Sequence, residues 1–142
     1  EVDLETGQVS VENFVAAHDV GHAFDKNEVI GQINGGVSMA VGYGIFEDVE
    51  SKNGYMKNTN FDKYLIPTVL DMPEMNSIVV EVPSKTGPFG ARGLGEPSAC
   101  TAAPAIINAI YDATGVRIRE LPASLEKVLF ELRKKQNKAK LD

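Results

Sequence analysis

Hydrophobic positions change period several times along this chain of 142 residues, and each change marks an element. Val2 and Leu4 alternate with charge, Glu5-Thr6-Gly7 has turn chemistry, and Val9, Val11 and Phe14-Val15-Ala16-Ala17 follow. That pattern predicts a β-hairpin whose second strand ends buried. A strand at the first residue is also what a piece of a longer polypeptide would show. Asp25 then precedes Glu28 by three positions, the spacing of an N-cap and its capping-box partner. Ile30, Ile33, Val37 and Ala40-Val41 recur at helical spacing. The same stretch carries Gly31, Gly35, Gly36, Gly42 and Gly44. An interior glycine costs about 1 kcal/mol against alanine, and close approach by a backbone or a ligand is the usual compensation. The expectation is a buried helix with one bare face.

A short strand is predicted at 46–50, followed by a hairpin-type turn at Ser51-Lys52-Asn53-Gly54. Tyr64-Leu65-Ile66-Pro67 is a short apolar run closed by proline, Asp71-Met72-Pro73 reads as a loop, and 78–82 as a strand. Residues 83–97 hold Pro83, Gly87, Pro88, Gly90, Gly93, Gly95 and Pro97, a long glycine-rich loop of the kind that is functional or disordered. A helix with Ala102, Ala103, Ile106, Ile107 and Ile110 on its apolar face follows, ended by Gly115 as C′. Pro104 should kink it or mark its first turn. A last helix begins at Ser124 and should bury Leu125, Val128, Leu129 and Leu132. Strands, a helix, strands and two more helices make an α+β domain with three main helices and no internal repeat.

Composition narrows the functions open to such a domain. The net charge of −6 argues against a nucleic-acid partner. The one basic run, Arg133, Lys134, Lys135, Lys138 and Lys140, belongs to a helical tail from about 124, where lysines complement a helix C-terminus. A single Cys excludes an internal disulfide framework and an all-cysteine metal site within this chain. No apolar run approaches the ~20 residues of a membrane span, and a cytoplasmic setting is the default expectation.

The segment with most chemical promise is Gly93-Leu94-Gly95-Glu96-Pro97-Ser98. Pro97 suits the first helical position and biases Glu96 away from the helical region. Glu96 then occupies the N-cap, where shorter side chains cap better, so its carboxylate should project from the helix start with Gly93 and Gly95 clearing space beside it. A surface Glu merely tolerated in a turn fits these residues as well. The Gly-x-Gly pattern lacks the third glycine of a dinucleotide fingerprint and the lysine of a P-loop. Gln32, in Gly31-Gln32-Ile33-Asn34-Gly35-Gly36, can donate and accept hydrogen bonds to a polar ligand, or simply be solvated. His18 and Asp19 are adjacent on a strand and point to opposite faces, so they cannot orient each other as a catalytic pair. Cys100, among small residues, reads as a buried small hydrophobe.

Taken together in order, these segments closely resemble the C-terminal region of the molybdenum hydroxylases, the family of xanthine dehydrogenases, aldehyde oxidoreductases and nicotinate dehydrogenases. The segments are residues 17–21, 31–36, 64–67, 86–91, 93–98, 103–106, 108–117 and Leu121-Pro122. The resemblance runs from residue 1 to about residue 130. It implies that the chain is the C-terminal portion of the second molybdopterin-binding domain of such a subunit. It also implies that Glu96 is the catalytic base, that Gln32 contacts the molybdopterin, and that Gly93, Leu94 and Gly95 line the cofactor. No residue is implied as a metal ligand. Asn27 departs from the Asn-Pro pair common in the family, and Ser98 and Cys100 vary the residues after Glu-Pro.

The activity implied is molybdenum-dependent hydroxylation of a heterocycle or aldehyde with water-derived oxygen. The cofactor implied is molybdenum-molybdopterin, with its nucleotide extension (the cytosine dinucleotide form is one option) left open. Iron–sulfur clusters and FAD are implied on partner domains or subunits, so the isolated chain is expected to be inactive. Two other functions fit the residues. One is a non-catalytic assembly piece of the same complex, with Glu96 facing away from any concavity. The other is an unrelated α+β binding module in which 83–97 only connects.

Overall fold

The structure, a computed structural model, describes residues 1–139; Lys140 of the basic tail lies outside them. The element order is β1 (Asn13–Asp19), α1 (Lys26–Val41), β2 (Ser51–Lys52), β3 (Tyr55–Met56), β4 (Glu74–Val80), α2 (Pro97–Thr114) and α3 (Leu125–Lys138). Among the described residues this is the expected α+β arrangement with three α-helices. A π-helical turn, Gly42–Phe46, extends α1, and short 3-10 turns occupy Val69–Asp71 and Pro88–Gly90.

The strand pairing differs from the expected hairpin. Val2 and Val9 make a single antiparallel bridge, while β1 pairs in parallel with β4, from Asn13 opposite Glu74 to Asp19 opposite Val80. Parallel strands need a crossover, and α1 supplies it. The N-terminal turn packs on α3 instead: Gly7, at φ +81°, lies where a Cβ would come within 2.5 Å of the Leu125 carbonyl. The strand expected at 46–50 is not formed, because the π turn consumes Phe46. Ser51–Lys52 and Tyr55–Met56 form the hairpin about Asn53-Gly54, both at positive φ.

The helix caps follow the sequence. Asp25 caps α1 by accepting from the Asn27 and Glu28 N–H groups. Gly115 ends α2 at φ +67°, and the Ser124 hydroxyl caps α3 by accepting from Lys127 N–H. The core joins Ile33, Val37, Ala40 and Val41 of α1 to Ala102, Ala103, Ile106 and Ile110 of α2, closed by Val128 and Leu132 of α3. Leu125 is not in the core as expected, since it begins α3 beside the N-terminal turn and stays 44% exposed. Pro104 lies inside α2; the proline of the first turn is Pro97.

Gly36 explains how closely α1 and α2 approach. A Cβ there would lie 2.0 Å from the Ser98 hydroxyl and 3.0 Å from the Ala99 nitrogen. Gly31 and Gly35 face open space instead. The glycine face is thus divided, one part against α2 and one part bare.

Candidate functional site

The loop 83–97 is fixed to the end of β1. Arg92 N–H donates to the Val20 carbonyl, and His22 and Ser84 N–H groups both donate to the Gly90 carbonyl. Gly21, at φ +69°, permits this approach, since a Cβ would come within 2.2 Å of the Gly90 oxygen. Asp19 accepts from the Gly21 and Val82 N–H groups and pairs with Arg92 at 3.2 Å. Those two backbone donors, and then Arg92, hold the Asp19 carboxyl below its usual pKa against the opposing effect of desolvation. Across the same loop base, Glu81 pairs with Lys26 at 2.6 Å and accepts from Ala23 N–H, and its carboxyl is likewise lowered. A loop held by two carboxylates and several main-chain bonds is not a free connector.

The anchored loop delivers Glu96 to the start of α2. Glu96 is the N-cap residue, but its side chain does not cap the helix. Its φ/ψ of −108°/−25° is helical rather than extended. The preference imposed by Pro97 is not followed here, and the Glu96 carbonyl accepts from the N–H groups of Ala99 (3.0 Å) and Cys100 (3.1 Å). The carboxylate is therefore exposed and not consumed by the fold.

Gln32 lies on the adjoining turn of α1, exposed, and its amide nitrogen donates to the Gly95 carbonyl at 3.1 Å. Gly93 and Gly95 have open space where a side chain would stand, and Leu94 between them is half-buried against the core. The fold thus brings Gln32, Gly93, Leu94, Gly95 and Glu96 together from two elements far apart in sequence. Cys100 is exposed rather than buried, because it stands about 200° around α2 from the buried Ser98.

Sequence reasoning passed over Ser98 as a contact and missed Tyr43 altogether. The fully buried Ser98 hydroxyl reaches the Gln32 carbonyl at 3.5 Å, and the Tyr43 hydroxyl donates to the Ala99 carbonyl at 2.6 Å. Burial, and then the neighbouring Cys100 thiol, raise the Tyr43 phenol above its usual pKa, so it remains a protonated donor. The only sequence signal for Tyr43 was an aromatic set between Gly42 and Gly44.

The site offers one free carboxylate, an amide with an uncommitted oxygen, and bare glycine backbone. Among the described residues, no group of three His, Cys, Asp or Glu side chains could hold a metal ion. This donor set suits a large polar organic ligand that approaches backbone closely, and it fits a metal brought in by such a ligand. A cavity of about 630 Å³ lies elsewhere, between Val9, Val11, Ile45, Met72 and Glu126, and does not reach Glu96. No helix among the described residues is long and apolar enough to cross a membrane.

Comparison with known proteins gives a consistent picture. Residues 1–73 match the family model of a molybdopterin cofactor-binding domain. The chain is 38% identical over 135 residues to a probable xanthine dehydrogenase subunit of Bacillus subtilis, covering 95% of this chain and 18% of that protein. It is 39% identical to the aldehyde oxidoreductase of Megalodesulfovibrio gigas, covering 93% of this chain and 14% of that one. Quinoline 2-oxidoreductase from Pseudomonas putida 86 superposes with a TM-score of 0.87 at 31% identity, over 93% of this chain and 17% of that chain. The chain therefore spans less than a fifth of the length of the proteins it matches.

Proposed function

The chain belongs to the molybdopterin cofactor-binding family, that of xanthine dehydrogenase and aldehyde oxidoreductase molybdenum-binding subunits, and on that footing we propose that it supplies the catalytic base, Glu96, and part of the cofactor site of a molybdenum hydroxylase. One observation carries the reading: the Gln32 amide is tied to the Gly95 carbonyl while the adjacent Glu96 carboxylate is left free. Two residues singled out separately by sequence become neighbours at one open glycine surface.

Within this reading the chain is the C-terminal portion of the second molybdopterin-binding domain. When bound, the molybdenum cofactor supplies the two-electron redox chemistry that hydroxylates a heterocycle or aldehyde carbon with oxygen from water. Gln32 holds the pterin through its uncommitted amide oxygen and its remaining N–H. Gly93, Leu94 and Gly95 present main chain to the cofactor without side-chain obstruction. Glu96 accepts the proton of the attacking oxygen, a role that needs an ionised carboxylate within hydrogen-bond reach. Iron–sulfur and FAD partners outside this chain would accept the electrons, in a cytoplasmic setting, and the remaining subunit would wall off the substrate.

A non-catalytic assembly role has one observation in its favour, that the cavity described above does not reach Glu96. The two readings part in rapid-mixing reduction of the assembled enzyme. Glu96→Gln should lose rate and keep its molybdenum if Glu96 is the base, and should lose neither if the chain only assembles the complex.

A further inference from the structure

The first turn of α2 is poorly supplied with its own ties. Pro97 brings no N–H, Pro104 leaves the Cys100 carbonyl without its usual donor, and the Glu96 side chain does not cap the helix. What fixes this turn comes from α1 and its π extension. Gln32 holds the Gly95 carbonyl from one side. Tyr43 holds the Ala99 carbonyl from the other, at 2.6 Å. The Ala99 peptide is thus bound at both ends of the residue, its N–H to the Glu96 carbonyl and its carbonyl to the Tyr43 hydroxyl. One residue separates the phenol from the backbone of Glu96.

Tyr43 lies in the π turn, where Glu47 N–H reaches back five residues to the Gly42 carbonyl. Turns of this kind concentrate at functional sites. Its neighbour Gly44 lies against Ala103, where a Cβ would make ordinary contact at 3.5 Å. The contacts Gly36–Ser98, Tyr43–Ala99 and Gly44–Ala103 therefore advance together along both helices, and Tyr43 contributes the shorter of the two hydroxyl bonds that cross between them, 2.6 Å against 3.5 Å for Ser98 to the Gln32 carbonyl.

We propose that Tyr43 is a positioning residue for Glu96: its hydroxyl fixes the first turn of α2 and with it the direction in which the Glu96 carboxylate projects. The proposal rests on the reading of Glu96 as the base. A base must sit within hydrogen-bond reach of its proton, and small misplacements of reacting groups are costly.

Tyr43→Phe removes a single oxygen and is tested in the assembled holoenzyme, by rapid-mixing reduction with substrate normalised to molybdenum content. The limiting rate should fall roughly 3–30-fold, with the substrate concentration for half-maximal rate near wild type and full molybdenum content. In a Glu96→Gln background the same change should cause no further loss, because Tyr43 acts through the carboxylate. A wild-type rate for Tyr43→Phe, an equal loss in both backgrounds, or loss of molybdenum overturns the proposal, the last because the hydroxyl would then hold the fold and not the base. If Glu96→Gln itself reduces at the wild-type rate, the base reading falls and Tyr43 falls with it. A slow Glu96→Gln beside an unaffected Tyr43→Phe removes Tyr43 alone.

Discussion

The side-chain amide of Gln32 donates to the carbonyl of Gly95 at 3.1 Å, one residue before Glu96. The bond crosses from α1 to the glycine-rich loop and occupies one of the two N–H groups of Gln32. Removing it should act on the cofactor site before it acts on the fold. Gln32→Ala should weaken retention of molybdenum by an amount equivalent to about 1–3 kcal/mol. Gln32→Glu should be worse, since it sets a carboxylate against a carbonyl. Metal analysis of the assembled enzyme measures both, and wild-type occupancy in the two variants would return Gln32 to an ordinary solvated position.

Gly36 and Gly35 are adjacent in sequence and should respond in opposite ways to alanine. At Gly36 the new Cβ would lie 2.0 Å from the Ser98 hydroxyl and 3.0 Å from a backbone nitrogen, so α1 and α2 must separate. Overpacking of this kind costs about 1–3 kcal/mol, read as a lowered thermal midpoint of the assembled enzyme. At Gly35 nothing lies within 4 Å of the added Cβ, and the helix should gain up to about 1 kcal/mol from the better helix former. Equal effects at the two positions would contradict the contact between α1 and α2.

The ends of the fold were legible in sequence and its long-range pairings were not. Asp25, Ser124 and Gly115 act on groups within a few residues of themselves, so their positions alone identified the helix ends. The β1–β4 ladder joins strands on either side of α1, and alternation in one strand says nothing about its partner. That is why β1 read as half of a hairpin. Glu96 was placed at the N-cap correctly but given the wrong backbone conformation, since it is helical despite the bias from Pro97. The neighbourhood of Gln32 and Glu96 came from resemblance; periodicity placed each on its own element and could not bring them together. Tyr43 was invisible because its role depends on an inter-helix contact.

Large apolar side chains outside the core predict how the chain behaves alone. Leu70 is 92% exposed, Val69 84%, Tyr55 79% and Phe61 76%, all between positions 55 and 70. Large exposed apolar side chains concentrated in one segment fit a surface meant to be covered. The isolated chain should self-associate in sedimentation experiments, and Leu70→Lys with Val69→Lys should reduce that association. A monodisperse monomer at high concentration would contradict it.

The loop that carries Glu96 should loosen in acid. The Asp19 carboxyl is held below its usual pKa by the Gly21 and Val82 N–H groups, and Glu81 by Lys26 and Ala23. A depressed folded-state pKa contributes stability that is present above the ordinary carboxylate pKa and is lost as pH falls through the lowered value. Amide exchange of Val82 and Arg92, corrected for intrinsic rates, should therefore be constant near neutrality and quicken only below the ordinary carboxylate range. Asp19→Asn should make exchange fast already at neutral pH and remove much of that acid response.

Replacement of Glu96 tests the account most directly. A general base contributes typically about 10²–10⁴-fold, so Glu96→Gln should slow reduction of the assembled enzyme by substrate by at least that order. Molybdenum and flavin content should stay near wild type, because the Glu96 side chain does not cap α2 and its loss leaves the helix start intact. Rapid-mixing reduction at saturating substrate, alongside metal analysis of the same sample, is the measurement. A rate at least ~100-fold below wild type with full cofactor content is the predicted result. Reduction of Glu96→Gln at the wild-type rate with the same content contradicts the assignment of the base and leaves the assembly role as the reading of this chain.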